Sequence, residues 1–151
     1  MIFEFERDFA GTLRCIPMIV RFNLDLCGIK LSLKQWSRLG RENRAALATL
    51  RCLTWDEIGS YRRDLIAAIR TRAGGEVMLI GIEARPEWEE RSFVPVQLAA
   101  FAASKHISSI DAERWAALSD LQRFALCKLT RASHDNNNFE PAMIEFGLLR
   151  N

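Results

Sequence analysis

An all-α fold, with at most one short two-stranded ribbon, is what this sequence predicts, and three features predict it. An apolar segment led by Pro17 closes on Gly28. Three Ser/Thr residues stand three positions ahead of Glu or Gln. A Trp- and Arg-bearing helical pattern also recurs 79 residues further along the chain. Each feature has a physical basis. Proline suits the first turn of a helix, where its missing N–H costs nothing, and glycine takes the left-handed conformation that stops one. A Ser or Thr three residues before Glu or Gln lets two side chains satisfy two free N–H groups at a helix start.

Taken in order, Met18, Ile19, Val20, Phe22, Leu24 and Leu26 leave only Arg21, Asn23 and Asp25 polar in the first long helix, which should be buried on most faces. Ser32 with Gln35, Thr54 with Glu57 and Ser119 with Gln122 mark three further helix starts. The helix after Thr54 places Trp55, Ile58, Leu65 and Ile69 near one face and stops at Gly74-Gly75. Phe3 and Phe5 alternate with Glu4 and Glu6, and Val77 to Ile82 is a short apolar run; these two stretches could pair as the ribbon.

The repeat is the clearest sign of organisation. A shift of 79 aligns Trp36 with Trp115, Leu39 with Leu118, Arg44 with Arg123, Ala46 with Ala125, Leu47 with Leu126 and Leu50 with Leu129. A shift of 78 aligns Pro17 with Pro95, Ile16 with Val94 and Ile29 with Ile107. The expectation is a single compact domain over residues 1–151, built from two pseudo-repeated multi-helix units at about 12–72 and 94–149. An acidic linker, 73–93, would join them. It is either a solvated arm or a segment folded back onto the first half.

Composition sets outer limits. A chain 49% hydrophobic and 26% charged is neither disordered nor collagenous, and four cysteines in 151 residues do not make a disulfide scaffold. The longest apolar run, Cys15 to Val20, is too short to cross a bilayer. The acidic start, Glu4 and Glu6 among the first residues, lacks the basic region of a signal peptide, so a cytoplasmic location is expected. The net charge of +2 conceals an asymmetry: residues 1–72 hold 13 basic and 8 acidic residues, residues 73–151 hold 8 and 11.

Three groups of residues could carry function. Arg38, Arg41, Arg44 and Arg51 flank a turn at Gly40, in outline a helix-turn-helix, which raises the alternative of a nucleic-acid-binding regulator. Their counterparts in the second half are Ala117, Asp120, Arg123 and Thr130, so three of the four cations are lost there. That loss and the modest net charge argue against nucleic acid and for a docking surface. Cys15, Cys27 and Cys52, with His134, form the alternative of a metal- or cofactor-binding protein, although their spacing matches no ligand motif and a free cysteine often serves as core. The loop Arg131, Ser133, His134, Asp135, Asn136, Asn138, Phe139 is the most polar stretch. Helix capping explains most of it, and partner binding is its functional reading. Trp36 and Trp115 should be core. Trp88, flanked by Glu87 and Glu89, is either an anchor or part of a partner site.

Two blocks of sequence go further. The first runs through Phe3-Glu4-Phe5-Glu6, Asp8-Phe9, Leu13-Arg14-Cys15-Ile16-Pro17-Met18, Leu24-Asp25, Cys27-Gly28-Ile29-Lys30-Leu31 and Trp36. The second holds Trp115, Leu121-Gln122-Arg123-Phe124-Ala125-Leu126, Lys128-Leu129, Ser133-His134, Asn136, Asn138-Phe139 and Pro141-Ala142. Together they resemble the bacterial nitrate reductase-associated protein family. That resemblance implies a non-enzymatic accessory or maturation protein whose partner is an apo-oxidoreductase, such as assimilatory nitrate reductase with its molybdopterin and iron–sulfur cluster. It implies no catalytic residue and no cofactor of the chain's own.

Overall fold

The computed structural model describes residues 1–131 and 136–150, the side chain of Asn136 aside. Nine α-helices lie among them, with three 3₁₀ turns, one π turn and a two-stranded antiparallel ribbon. The chain divides into two compact units, Met1–Ile82 and Glu83–Asn151, and the division falls inside the acidic segment.

Unit 1 begins with a 3₁₀ turn, Glu4–Glu6, and α1, Arg7–Ala10. The alternating Phe/Glu pattern here does not form a strand. Glu6 is the reason: its buried carboxylate accepts the N–H of Phe3 at 3.2 Å and that of Met18 at 3.0 Å, curling the segment into a turn. The second bond satisfies the first free N–H of α2, Met18–Cys27, where negative charge is favoured by the helix dipole. No residue of α2 is exposed, and Gly28 ends it at φ +70°. A Cβ there would lie 2.9 Å from both the carbonyl oxygen of Ile80 and Cγ1 of Ile82, so glycine is required on two counts.

The ribbon forms instead between β1, Ile29–Lys30, and β2, Met78–Leu79, with Ile29 opposite Leu79. Next come α3, Leu33–Arg38, α4, Arg41–Thr49, and α5, Trp55–Ala68, which runs into a π turn at Ile69–Ala73 and stops at Gly74. The Ser32 and Thr54 capping boxes are both formed. The core gathers Val20, Leu24, Ile29, Trp36, Leu47, Tyr61, Leu65 and Ile69. Trp55 is not part of that face. It stands at the first position of α5 and is 85% exposed, because α5 turns Tyr61, Leu65 and Ile69 inward and leaves its N-terminal turn beyond the core.

Unit 2 opens with a 3₁₀ turn at Glu87–Glu89, followed by α6, Val96–Ser104, α7, Ala112–Ala117, α8, Asp120–Leu129, and α9, Phe139–Glu145. Ser119 forms its capping box, and Asp111 caps α7 through its own carboxylate. The buried side chains include Leu98, Trp115, Phe124, Leu126, Leu129, Phe139 and Met143.

The 73–93 segment is therefore not a free arm. Its first part belongs to unit 1, where Gln35 Nε2 donates to the Glu76 carbonyl at 3.1 Å and Ile80 N–H to Gly28 at 2.9 Å. Its second part belongs to unit 2 and forms the surface described next.

Candidate partner-binding surface

The residues suggested by sequence are distributed over both units. In unit 1, Arg38, Arg41 and Arg51 are exposed, and Arg38 donates to the Ala73 carbonyl at 3.4 Å. Arg44 does not share their face. It is half-buried, its Nη1 donates to the Leu13 carbonyl at 2.9 Å, and its Nε is buried without a partner among the described residues. A guanidinium held this way supports the fold through its Nη1. In unit 2, Arg131 is exposed, Asn138 is a half-buried residue preceding α9, and Asn136 lies in the 3₁₀ turn Asn136–Asn138. Phe139 is in the core, 1% exposed and edge-on to Phe101 at 4.9 Å between ring centres, so it presents nothing to a partner. Ser133, His134 and Asp135 lie outside the described residues.

The thiols behave as core side chains. Cys27 and Cys52 sit in the unit 1 core, Cys127 in that of unit 2, and Cys15 is half-buried. Burial pushes the Cys27 thiol up to about 12, with the neighbouring Cys52 adding to the effect, and Cys52 itself to about 11. Burial likewise raises Cys127 to about 12. Burial of this kind leaves the three thiols poor nucleophiles near neutrality. Cys27 Sγ reaches the Ile58 carbonyl at 3.7 Å. Among the described residues, no three of His, Cys, Asp and Glu come together as a metal site.

A further surface lies in the segment that the sequence presented as a linker carrying Trp88. Two fully buried side chains of unit 2 reach out to the Glu87–Glu89 turn. Trp115 Nε1 donates to the Glu90 carbonyl at 2.9 Å, and Arg123 Nε to the Trp88 carbonyl at 2.7 Å. Arg123 also donates to the Leu118 carbonyl and to Asp120 Oδ1, which a second cation, Arg91, joins at 3.1 Å. Burial lowers the pKa of Arg123, and Asp120 opposes that shift. Ser92 N–H donates to Glu90 Oε1 at 2.7 Å, a bond that lowers the pKa of Glu90.

With its main chain drawn inward at two carbonyls, this turn shows the side chains of Glu87 and Glu89 to solvent. Pro86, Glu87, Glu89, Glu90, Phe93 and Val96 line an open groove of about 710 Å³. Phe93 is 57% exposed and Val96 79%. Trp88, half-buried, is an anchor through its carbonyl. A proline-flanked run of glutamates leading to Phe93 was the available sequence signal, but composition alone could not show that its backbone is fixed.

A model of conserved nitrate reductase-associated proteins matches residues 2–146 of the 151. The chain belongs to this family. Membership covers both units, the groove and the two Trp/Arg pairs alike. No curated protein and no solved structure matches the nitrate reductase-associated chain.

Proposed function

We propose that this protein is a non-enzymatic accessory factor for nitrate reductase, acting in the cytoplasm on the apo-enzyme. It would hold that enzyme in a form competent to receive its molybdenum cofactor and iron–sulfur cluster. The family match over residues 2–146 carries this reading. Its surface chemistry supports it: Leu53, Trp55, Phe93 and Val96 are large apolar side chains left in solvent, a pattern that serves contact with another protein. We also take the two units to be copies of one helical module. Each carries a Pro-led helix, a residue of positive φ, a Trp helix capped at its start, an extended Leu and an Arg-bearing helix in the same order.

Deletion of the gene in its native host tests the accessory role. Nitrate reductase polypeptide should still accumulate, but with reduced activity and reduced molybdenum per polypeptide. Unchanged activity and metal content would remove the proposal.

A further inference from the structure

We infer that the groove of unit 2 receives a basic, apolar-bearing peptide segment of a partner protein. Pro86, Phe93, Pro95 and Val96 supply its apolar lining, and Glu87, Glu89 and Glu90 line it with carboxylates. Among the described residues neither Glu87 nor Glu89 has an ion pair, and Arg85 is the one cation among those lining the groove. A ligand complementary to this surface carries an apolar side chain for the Phe93 and Val96 lining, with arginine or lysine on either side of it. The same carboxylates repel phosphate, which sets aside nucleic acids and anionic membranes as occupants.

The turn is also organised before any ligand arrives. Trp115 and Arg123, both fully buried, fix the carbonyls of Glu90 and Trp88, so the main chain that carries the glutamates need not be ordered by binding. The volume of about 710 Å³ suits a few residues of extended or helical peptide, not a single ion. This inference depends on the accessory reading only for the partner's identity; the chemistry of the segment stands apart from it.

The test uses the full chain and two synthetic peptides of equal length, one alternating leucine with arginine, the other leucine with glutamate, titrated by calorimetry. The Leu/Arg peptide should bind, and Glu87→Lys with Glu89→Lys should weaken it about tenfold or more. Phe93→Ser should also weaken it at unchanged net charge. A control reversal of the same size on unit 2, Glu113→Lys with Glu140→Lys, should leave affinity within about twofold. Circular dichroism confirms that each variant folds. Absence of binding, equal binding of the Leu/Glu peptide, or an equal loss in the control overturns the inference. Each of these results stands whatever nitrate reductase itself does.

Discussion

Units 1 and 2 use the same pair of side chains on their own main chain, but they use them differently. In unit 1, Trp36 Nε1 at 2.8 Å and Arg44 Nη1 at 2.9 Å donate to one acceptor, the Leu13 carbonyl. In unit 2, Trp115 and Arg123 take separate carbonyls, Glu90 and Trp88, and Arg123 holds Leu118 and Asp120 as well. Arg44 is half-buried with its Nε unpartnered among the described residues, whereas Arg123 is fully buried with its donors engaged. One arrangement is redundant and the other is not. The redundant pair fixes a short bend before α2. The non-redundant pair fixes the acidic turn that lines the groove, and that turn is where a partner is proposed to dock.

The sharpest way to break this comparison is to remove the arginines in turn. Arg123→Met removes the hydrogen bonds that the fully buried guanidinium gives to the Trp88 and Leu118 carbonyls and to Asp120, and should cost unit 2 about 3 kcal/mol. Arg44→Met, with Trp36 still on Leu13, should cost unit 1 about 1 kcal/mol. Hydrogen exchange resolved by peptide assigns each loss to its unit, and equal losses would refute the difference claimed.

Smaller effects follow at the positive-φ residues that end α2 and follow α6. Gly28→Ala is strained at φ +70° and also meets Ile80 and Ile82, so about 1–3 kcal/mol should be lost in urea unfolding. His106, at φ +59°, already bears that strain, and His106→Gly should be neutral or gain less than about 1 kcal/mol. The tryptophans then repeat the arginine test at lower amplitude. Trp115→Phe strips the Glu90 carbonyl of its indole donor, at about 1–3 kcal/mol, whereas Trp36→Phe leaves Arg44 on Leu13 and should cost about 1 kcal/mol, both read from thermal midpoints.

Alkaline pH separates the units by their buried acids. A thiol whose pKa is raised in the folded state keeps its proton while the unfolded chain loses it. Stability is therefore flat below the ordinary thiol pKa of 9 and falls as pH climbs towards the folded value of about 11 to 12. Each group contributes a slope of about 1.4 kcal/mol per pH unit inside that window. Unit 1 contains Cys27, Cys52 and Tyr61, whose hydroxyl burial also pushes up; unit 2 contains Cys127. Exchange protection should thus decline more steeply in unit 1 above pH 9. A uniform decline would contradict the burial assigned to these thiols.

Local chemistry made much of the fold legible. The Ser32, Thr54 and Ser119 caps, the α2 span and its Gly28 stop, and the burial of Trp36 and Trp115 all follow from neighbours within a few positions. What escaped depends on distant partners. The Phe3–Glu6 alternation signals a strand until Glu6 is known to reach Met18, and Ile29–Lys30 is too short to announce itself as the partner of Met78–Leu79. Trp55 and Phe139 exchange the expected places, because a residue's position within its helix turn decides which way it faces. The groove was least visible of all. Its rigidity comes from two main-chain carbonyls, and a carbonyl acceptor has no signature in the amino-acid code.

The accessory reading is tested most directly by mixing the purified chain with purified apo-nitrate reductase and measuring the complex by size-exclusion chromatography with light scattering. The account predicts a stoichiometric complex that forms with the unaltered chain and is lost or strongly weakened by Glu87→Lys with Glu89→Lys. If the two proteins elute separately, nitrate reductase is not the partner; if the complex persists undiminished in the variant, the groove is not where it docks.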